Sequence, residues 1–141
     1  MTGRVFFDSS VLSAALALSD DWPSIVYPGH PDWPLKQDAA DEVWLTYVGQ
    51  QGWVAVFRDK RIRYRPAERD ALEMHTVRAV SITTNRNLKI AEQAALIGNH
   101  MAKIELLAGM PPAYYTMTKF SARLTVEESA RLIEGLERSL P

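Results

Sequence analysis

RVFFDSSVLSAAL, residues 4–16, opens on an apolar run, breaks at an acid and continues into a helix-forming segment. Val5, Phe6 and Phe7 read as a short buried strand, because a strand covered on both faces is continuously apolar rather than alternating. Val11 to Leu18 is rich in Leu and Ala, which lose little freedom in a helix, and Ser10 stands where an N-cap is expected. A strand followed at once by a helix begins a β-α-β unit. Asp8 then falls at the strand's C-terminal end, the edge at which open α/β sheets bind ligands. Position alone makes Asp8 a candidate site residue.

The same alternation continues outward. SIVYPG offers a short strand ending at Pro28-Gly29, and HPDWPLKQDA is a proline-punctuated loop. From Asp41 to Gln51, Val43, Trp44, Tyr47 and Val48 recur at helical spacing, with Gly49 and Gly52 near the end, and WVAVF follows as a buried strand. A helix is expected to open at Pro66, a strand at Val77–Ile82, a long helix from about Leu88 to Leu107, and a strand at AYYTM after Pro111-Pro112. Thr125 with Glu128 forms a capping-box pattern, and Val126, Ala130, Ile133 and Leu136 give an amphipathic C-terminal helix at about 125–140. Strands alternating with helices predict an α/β fold, a three-layer α/β/α sandwich with a mainly parallel central sheet and right-handed crossovers. No internal repeat or linker divides the chain, so residues 1–141 are expected to form a single domain.

Composition narrows the function. The chain's 141 residues are 47% hydrophobic and 23% charged, ordinary values for a folded domain rather than a disordered one. The absence of cysteine excludes disulfides, thiolate catalysis and cysteine-bound zinc, and fits a cytoplasmic location. No window approaches 18 apolar residues and no basic leader precedes the first strand, so neither a membrane span nor export is expected. His30, His75 and His100 lack metal-ligand spacing. A net charge of −1 favours no partner class by itself.

Charge placement is more informative. Asp8 and Asp59 each follow a predicted buried strand, and parallel neighbouring strands would bring both carboxylates to one edge. Asp41 opens the helix leading into the second of those strands. Carboxylates gathered in one cleft repel one another, and a divalent cation such as Mg²⁺ or Mn²⁺ relieves that repulsion. Taken singly, each has a plain structural role: Asp8 as a helix cap, Asp41 as a dipole partner, Asp59 as a turn residue beside Arg58 or Lys60.

FFDSSVLSAAL resembles the first strand and helix of PIN-domain nucleases, the fold used by VapC-type toxins, in which an aspartate ends the first strand and small hydroxyl residues follow. DEVWLTYVGQQGWVAVFRDKRI is similar to the family's later signature: an aspartate opening a helix, a glycine, a hydrophobic strand, then an arginine or asparagine before another aspartate. The likeness is to the compact PIN-like branch and extends from Arg4 through roughly Ile82. It implies that Asp8, Asp41 and Asp59 are catalytic metal ligands for Mg²⁺ or Mn²⁺. It implies an endoribonuclease that hydrolyses RNA phosphodiester bonds, acting as the toxin of a toxin–antitoxin pair with a cognate antitoxin protein. Larger PIN nucleases place a glutamate on a helix between the first two aspartates. Here Ser19 to Ala40 holds only a loop and a short strand, leaving Asp38 and Glu42 as the nearby carboxylates able to substitute.

RDKRIRYRPAER, residues 58–69, carries six basic and two acidic residues, a local 6 − 2 = +4 in a chain that is otherwise acidic. Arg58, Lys60, Arg61, Arg63 and Arg65 are candidate RNA-phosphate contacts, and Tyr64 a candidate base-stacking residue. The plainer role is a solvated loop or a charge-blunted strand edge. Asn85 follows the Val77–Ile82 strand and Ser10 follows Asp8, so both are candidates for the substrate edge; Ser9 and Ser10 could orient a water or hold Asp8, with turn formation for Asn85 and helix capping for Ser10 as the simpler duties. Trp33, in the proline-rich loop, is placed to border the cleft. Two other function classes stay open: a catalytically silent PIN-like domain that binds RNA or protein, and a receiver-like phosphoacceptor built on Asp59, Thr83 or Thr84, and Lys119. Self-association through the long helix or the C-terminal one is a further expectation.

Overall fold

A computed structural model of the chain describes residues 3–58, 77–83, 89–110 and 114–118. The described elements run β1 (Val5–Phe7), a 3-10 turn (Ser9–Val11), α1 (Leu12–Leu18), β2 (Ile25–Val26), α2 (Asp41–Gln51), β3 (Val54–Phe57), β4 (Arg78–Thr83), α3 (Ile90–Leu106), a second 3-10 turn (Leu107–Gly109) and β5 (Tyr114–Thr118). The helices expected at Pro66 and at 125–140 lie outside the described residues.

Five parallel strands form one sheet in the order β2-β1-β3-β4-β5. From β1 the chain first crosses outward to β2, then returns through α2 to pair β3 on the other side of β1. Val5 faces Ile25 in one ladder and Val54 in the other. The winding direction therefore reverses between β1 and β3, which opens a crevice at their C-terminal ends.

Alternation along each strand splits the core into two layers. Val5, Phe7, Val54, Val56, Val80 and Ile82 face α1 and α3, packing on Ala14, Ala15, Ile97, Met101 and Ile104. Phe6, Ala55, Phe57 and Ala79 face the other way, onto Trp44, Leu45 and Val48 of α2 and onto Trp33 of the loop before it. Helices thus cover both faces, and the expected α/β/α layering and parallel sheet are observed.

Local chemistry explains the boundaries. Gly52 ends α2 in the left-handed region at φ +72°, and its N–H reaches the carbonyls of Val48 and Gly49. Only glycine enters that conformation without a Cβ penalty, so the helix stops there and β3 follows. At α3 the Glu92 carboxylate accepts the Lys89 N–H at 3.1 Å, capping a helix that begins two residues later than its Leu88 expectation. Gly98 lies close to α1, since a Cβ there would stand 3.1 Å from Leu18 Cδ2. No helix among the described residues is long and apolar enough to cross a membrane.

Candidate functional site

Asp8 is the residue that the sheet positions most firmly. Its backbone N–H continues the ladder past Phe7 by donating to Val56 O at 3.1 Å. Beyond it the chain tightens into the 3-10 turn, with Asp8 as cap: Oδ1 accepts the Ser10 N–H at 3.0 Å. Ser10 Oγ donates to the same Oδ1 and accepts the Arg58 N–H at 2.8 Å. One hydroxyl therefore joins the end of β1 to the residue that follows β3. Asp8 is only 5% exposed, and a carboxylate buried to that degree needs such donors.

The expected duty of Ser10 as cap of the first long helix needs correction. The 3-10 turn moves the start of α1 to Leu12, and its N-cap position is Val11, with no side-chain cap bond. Asp8 caps the turn, and Ser10 is drawn into holding Asp8.

Asp41 reaches the site from α2. It is the helix's first residue, and its Oδ1 accepts the Trp44 indole N–H at 2.9 Å, one helical turn away. Trp44 is buried in the aromatic layer, so a core side chain orients the acid. Asp8, Asp38 and Asp41 line one cavity of about 120 Å³, walled by Phe6, Trp33 and Trp44, with Lys36 and Gln37 contributed by the loop. Trp33 borders the cleft as expected, but as an anchor rather than a free stacking face: its ring lies 4.0 Å from Phe6 at 21°, with Tyr47 edge-on at 5.3 Å.

Of the two carboxylates near Asp41, Glu42 is the better substitute for the missing glutamate only if α2 turns it inward. Glu42 is exposed on α2, one position round from Asp41, and does not line the cavity. Helical geometry sends Asp41, Trp44, Leu45 and Val48 inward and turns Glu42 to solvent. Asp38, the other nearby acid, does line it. Among the described residues no three Asp, Glu or His side chains come together closely enough to hold a metal ion. Asp59, Lys60, Arg61, Arg63, Tyr64, Arg65 and Asn85 lie outside the described residues. Arg58 is described, and its backbone is tied to Ser10.

Sequence reasoning overlooked Lys36 and Gln37. The signal was present: their loop links the C-terminal end of one strand to the N-terminus of a helix, so it must run along the ligand edge. The loop is fastened at its other end by Arg4, whose guanidinium donates to Asp32 at 2.7 Å and sits 5.9 Å from the Trp53 ring. The hydrogen bond from Arg4 holds the Asp32 carboxyl below its ordinary range; desolvation opposes it, and Coulombic attraction from Arg4 and then His30 adds to the lowering. His30 serves the same loop, its Nδ1 accepting the Asp32 N–H at 3.0 Å. His100 is fully buried in α3, away from the cavity lining.

The 2-1-3-4-5 strand order is common to several doubly wound families, receiver-type folds among them, so topology alone does not assign the chain. A family model described as a PIN like domain matches residues 4–84, a span running from the start of β1 to just past β4. No curated protein and no solved structure matches the chain significantly.

Proposed function

The chain belongs to the PIN-like domain family through residues 4–84, and from that premise we propose that it is a metal-dependent endoribonuclease hydrolysing RNA phosphodiester bonds. The observation that carries this reading is the shared cavity of Asp8 and Asp41 at the C-terminal edge of β1. These acids arrive from different elements, and each has its Oδ1 oriented by a fixed donor.

The donor set suits a hard divalent cation. Mg²⁺ and Mn²⁺ favour carboxylate oxygens, and Mg²⁺ commonly takes only one or two protein carboxylates and keeps several waters. A closed three-acid cage is therefore not required. Asp8 and Asp41 would hold the ion, with Asp59 as the third ligand and Asp38 beside them. When bound, such an ion supplies Lewis acidity and a nucleophile at neutral pH. The chain's own residues do the rest: Ser10 and Trp44 fix the two carboxylates, and the basic segment 58–69 receives the strand through Arg58, Lys60, Arg61, Arg63, Tyr64 and Arg65. Such supporting contacts are commonly worth 10- to 100-fold in metal affinity or activity.

The toxin role, a cognate antitoxin protein, a cytoplasmic site of action and self-association belong to the same reading and rest on the likeness to the compact PIN-like branch. A reading frame for a small DNA-binding protein adjoining this one would support the pairing. For the chemistry, purified protein should cleave single-stranded RNA with Mg²⁺ or Mn²⁺ and stop on addition of chelator. Asp8→Asn should lower the rate by at least about 100-fold while leaving the circular dichroism spectrum unchanged. Cleavage that persists in chelator would sink the mechanism. The exposed placement of Glu42, which leaves the intermediate glutamate of larger PIN nucleases without a counterpart on α2, favours one second reading, a PIN-like domain that binds RNA or protein without cutting.

A further inference from the structure

Among the described residues Asp8, Asp38 and Asp41 line the cavity against one cation, Lys36, and their formal charges without a bound ion sum to −3 + 1 = −2. A phosphodiester strand brought to that surface is repelled at contact, where salt screens least. A positive side chain on the cavity wall offsets that repulsion before an ion is bound and adds a phosphate contact beside the ion afterwards. Lys36 is the only Lys, Arg or His lining it among the described residues. It is exposed and in no ion pair among those residues, although three acids share its cavity.

The loop carrying Lys36 is tied on both sides. Trp33 is buried against Phe6, Leu35 packs on the same aromatic layer, and the Lys36 carbonyl accepts the Ala39 N–H at 3.2 Å. Gln37 lies across Gly29, whose φ is +93°; a Cβ there would stand 3.0 Å from Gln37 Nε2. A cation mounted on a fastened loop loses less freedom when it takes a ligand than one on a loose segment.

We propose that Lys36 is a phosphate-positioning residue of this site, with Gln37 as its polar neighbour, receiving a backbone phosphate of the RNA strand on the loop wall of the cavity. This rests on the ribonuclease reading and adds to it a recognition element between β2 and α2, separate from the basic segment 58–69. A lysine contact of this kind reads the backbone and not the bases, so its effect is uniform across sequences.

The test measures binding of a short labelled single-stranded RNA by fluorescence anisotropy across a salt series, in an Asp8→Asn background that blocks turnover. Adding Lys36→Gln should weaken binding about tenfold and flatten the slope of log affinity against log salt by about 0.7, the value for one phosphate contact on a single strand. Lys36→Arg should restore both. An unchanged slope in Lys36→Gln, with RNA still bound, overturns this inference and leaves the ribonuclease reading standing. Tighter Mn²⁺ binding by Lys36→Gln in the otherwise wild-type chain, with RNA affinity unmoved, would make Lys36 a counter-ion to the acids and overturns it equally. If the Asp8→Asn protein binds no RNA even at low salt, both the inference and the reading beneath it fail.

Discussion

The two faces of the sheet solve the same packing problem with different materials. Against α1 and α3 the layer is built mainly of Val, Ala, Ile and Met, with Gly98 admitting Leu18 at close range. Against α2 it is built of Phe6, Trp33, Trp44 and Phe57, and it is closed by a loop rather than by a second helix among the described residues. Aliphatic side chains have no polar atoms to satisfy, so most of that face seals without partners, Tyr115 and His100 being its buried polar exceptions. Indole carries an N–H that must find an acceptor when buried, and Trp44 finds it in Asp41. The aromatic face is thereby joined to the site, and the aliphatic face only supports it.

Three substitutions can break or sharpen this contrast. The largest effect belongs to the sealed face: Phe7→Ala should cost about 3–5 kcal/mol of unfolding free energy, read from the urea midpoint, because it opens a cavity among fully buried neighbours. It should act on activity only through the folded fraction. Trp44→Phe is intermediate and separates packing from function. The ring is retained, so stability should fall by less than about 1.5 kcal/mol, while loss of the bond to Asp41 should weaken Mn²⁺ binding about tenfold in calorimetry. Equal Mn²⁺ affinity in that variant would detach the aromatic face from the site.

The smallest effect is at the loop's outer tie. Arg4 depresses the Asp32 carboxyl, so the pair contributes its stability above the unfolded value of about 3.9 and loses it as pH falls through that value towards the lower folded one. Asp32→Asn should therefore change the urea midpoint slightly at pH 7 and not at all at pH values below both. The pair is exposed and salt-screened, so added salt should shrink even the pH 7 difference. A larger shift at acid pH than at neutral pH would reverse the sign argued here.

What could be read in advance follows from the range of the interactions. VFF and WVAVF announced buried parallel strands because continuous apolar runs report burial directly, and Gly52 announced the end of α2 through a backbone requirement of its own. Asp8 and Asp41 were legible because each sits at an element boundary, and the sheet brings such boundaries to one edge. The hold of Ser10 on Asp8 was an open alternative to capping, but its bridge to Arg58 was not legible: that partner is 48 residues away, and no local pattern tells a hydroxyl that caps from one that bridges. The direction of Glu42 depended on the phase of α2, which its inward Trp44, Leu45 and Val48 settle only once the helix is docked. Lys36 escaped notice because a lone lysine in a proline-punctuated loop carries no periodicity.

The place of β1 between β2 and β3 has a consequence for synthesis. Val5 emerges from the ribosome well before Val54 and must wait for it before its inner ladder can form. At roughly 5–20 residues per second that interval is on the order of 2–10 s, during which three consecutive apolar side chains have only the two-residue β2 to pair with. Nascent chains stalled between β2 and β3 should accordingly be the chaperone-dependent, aggregation-prone species, and release past β3 should end that vulnerability.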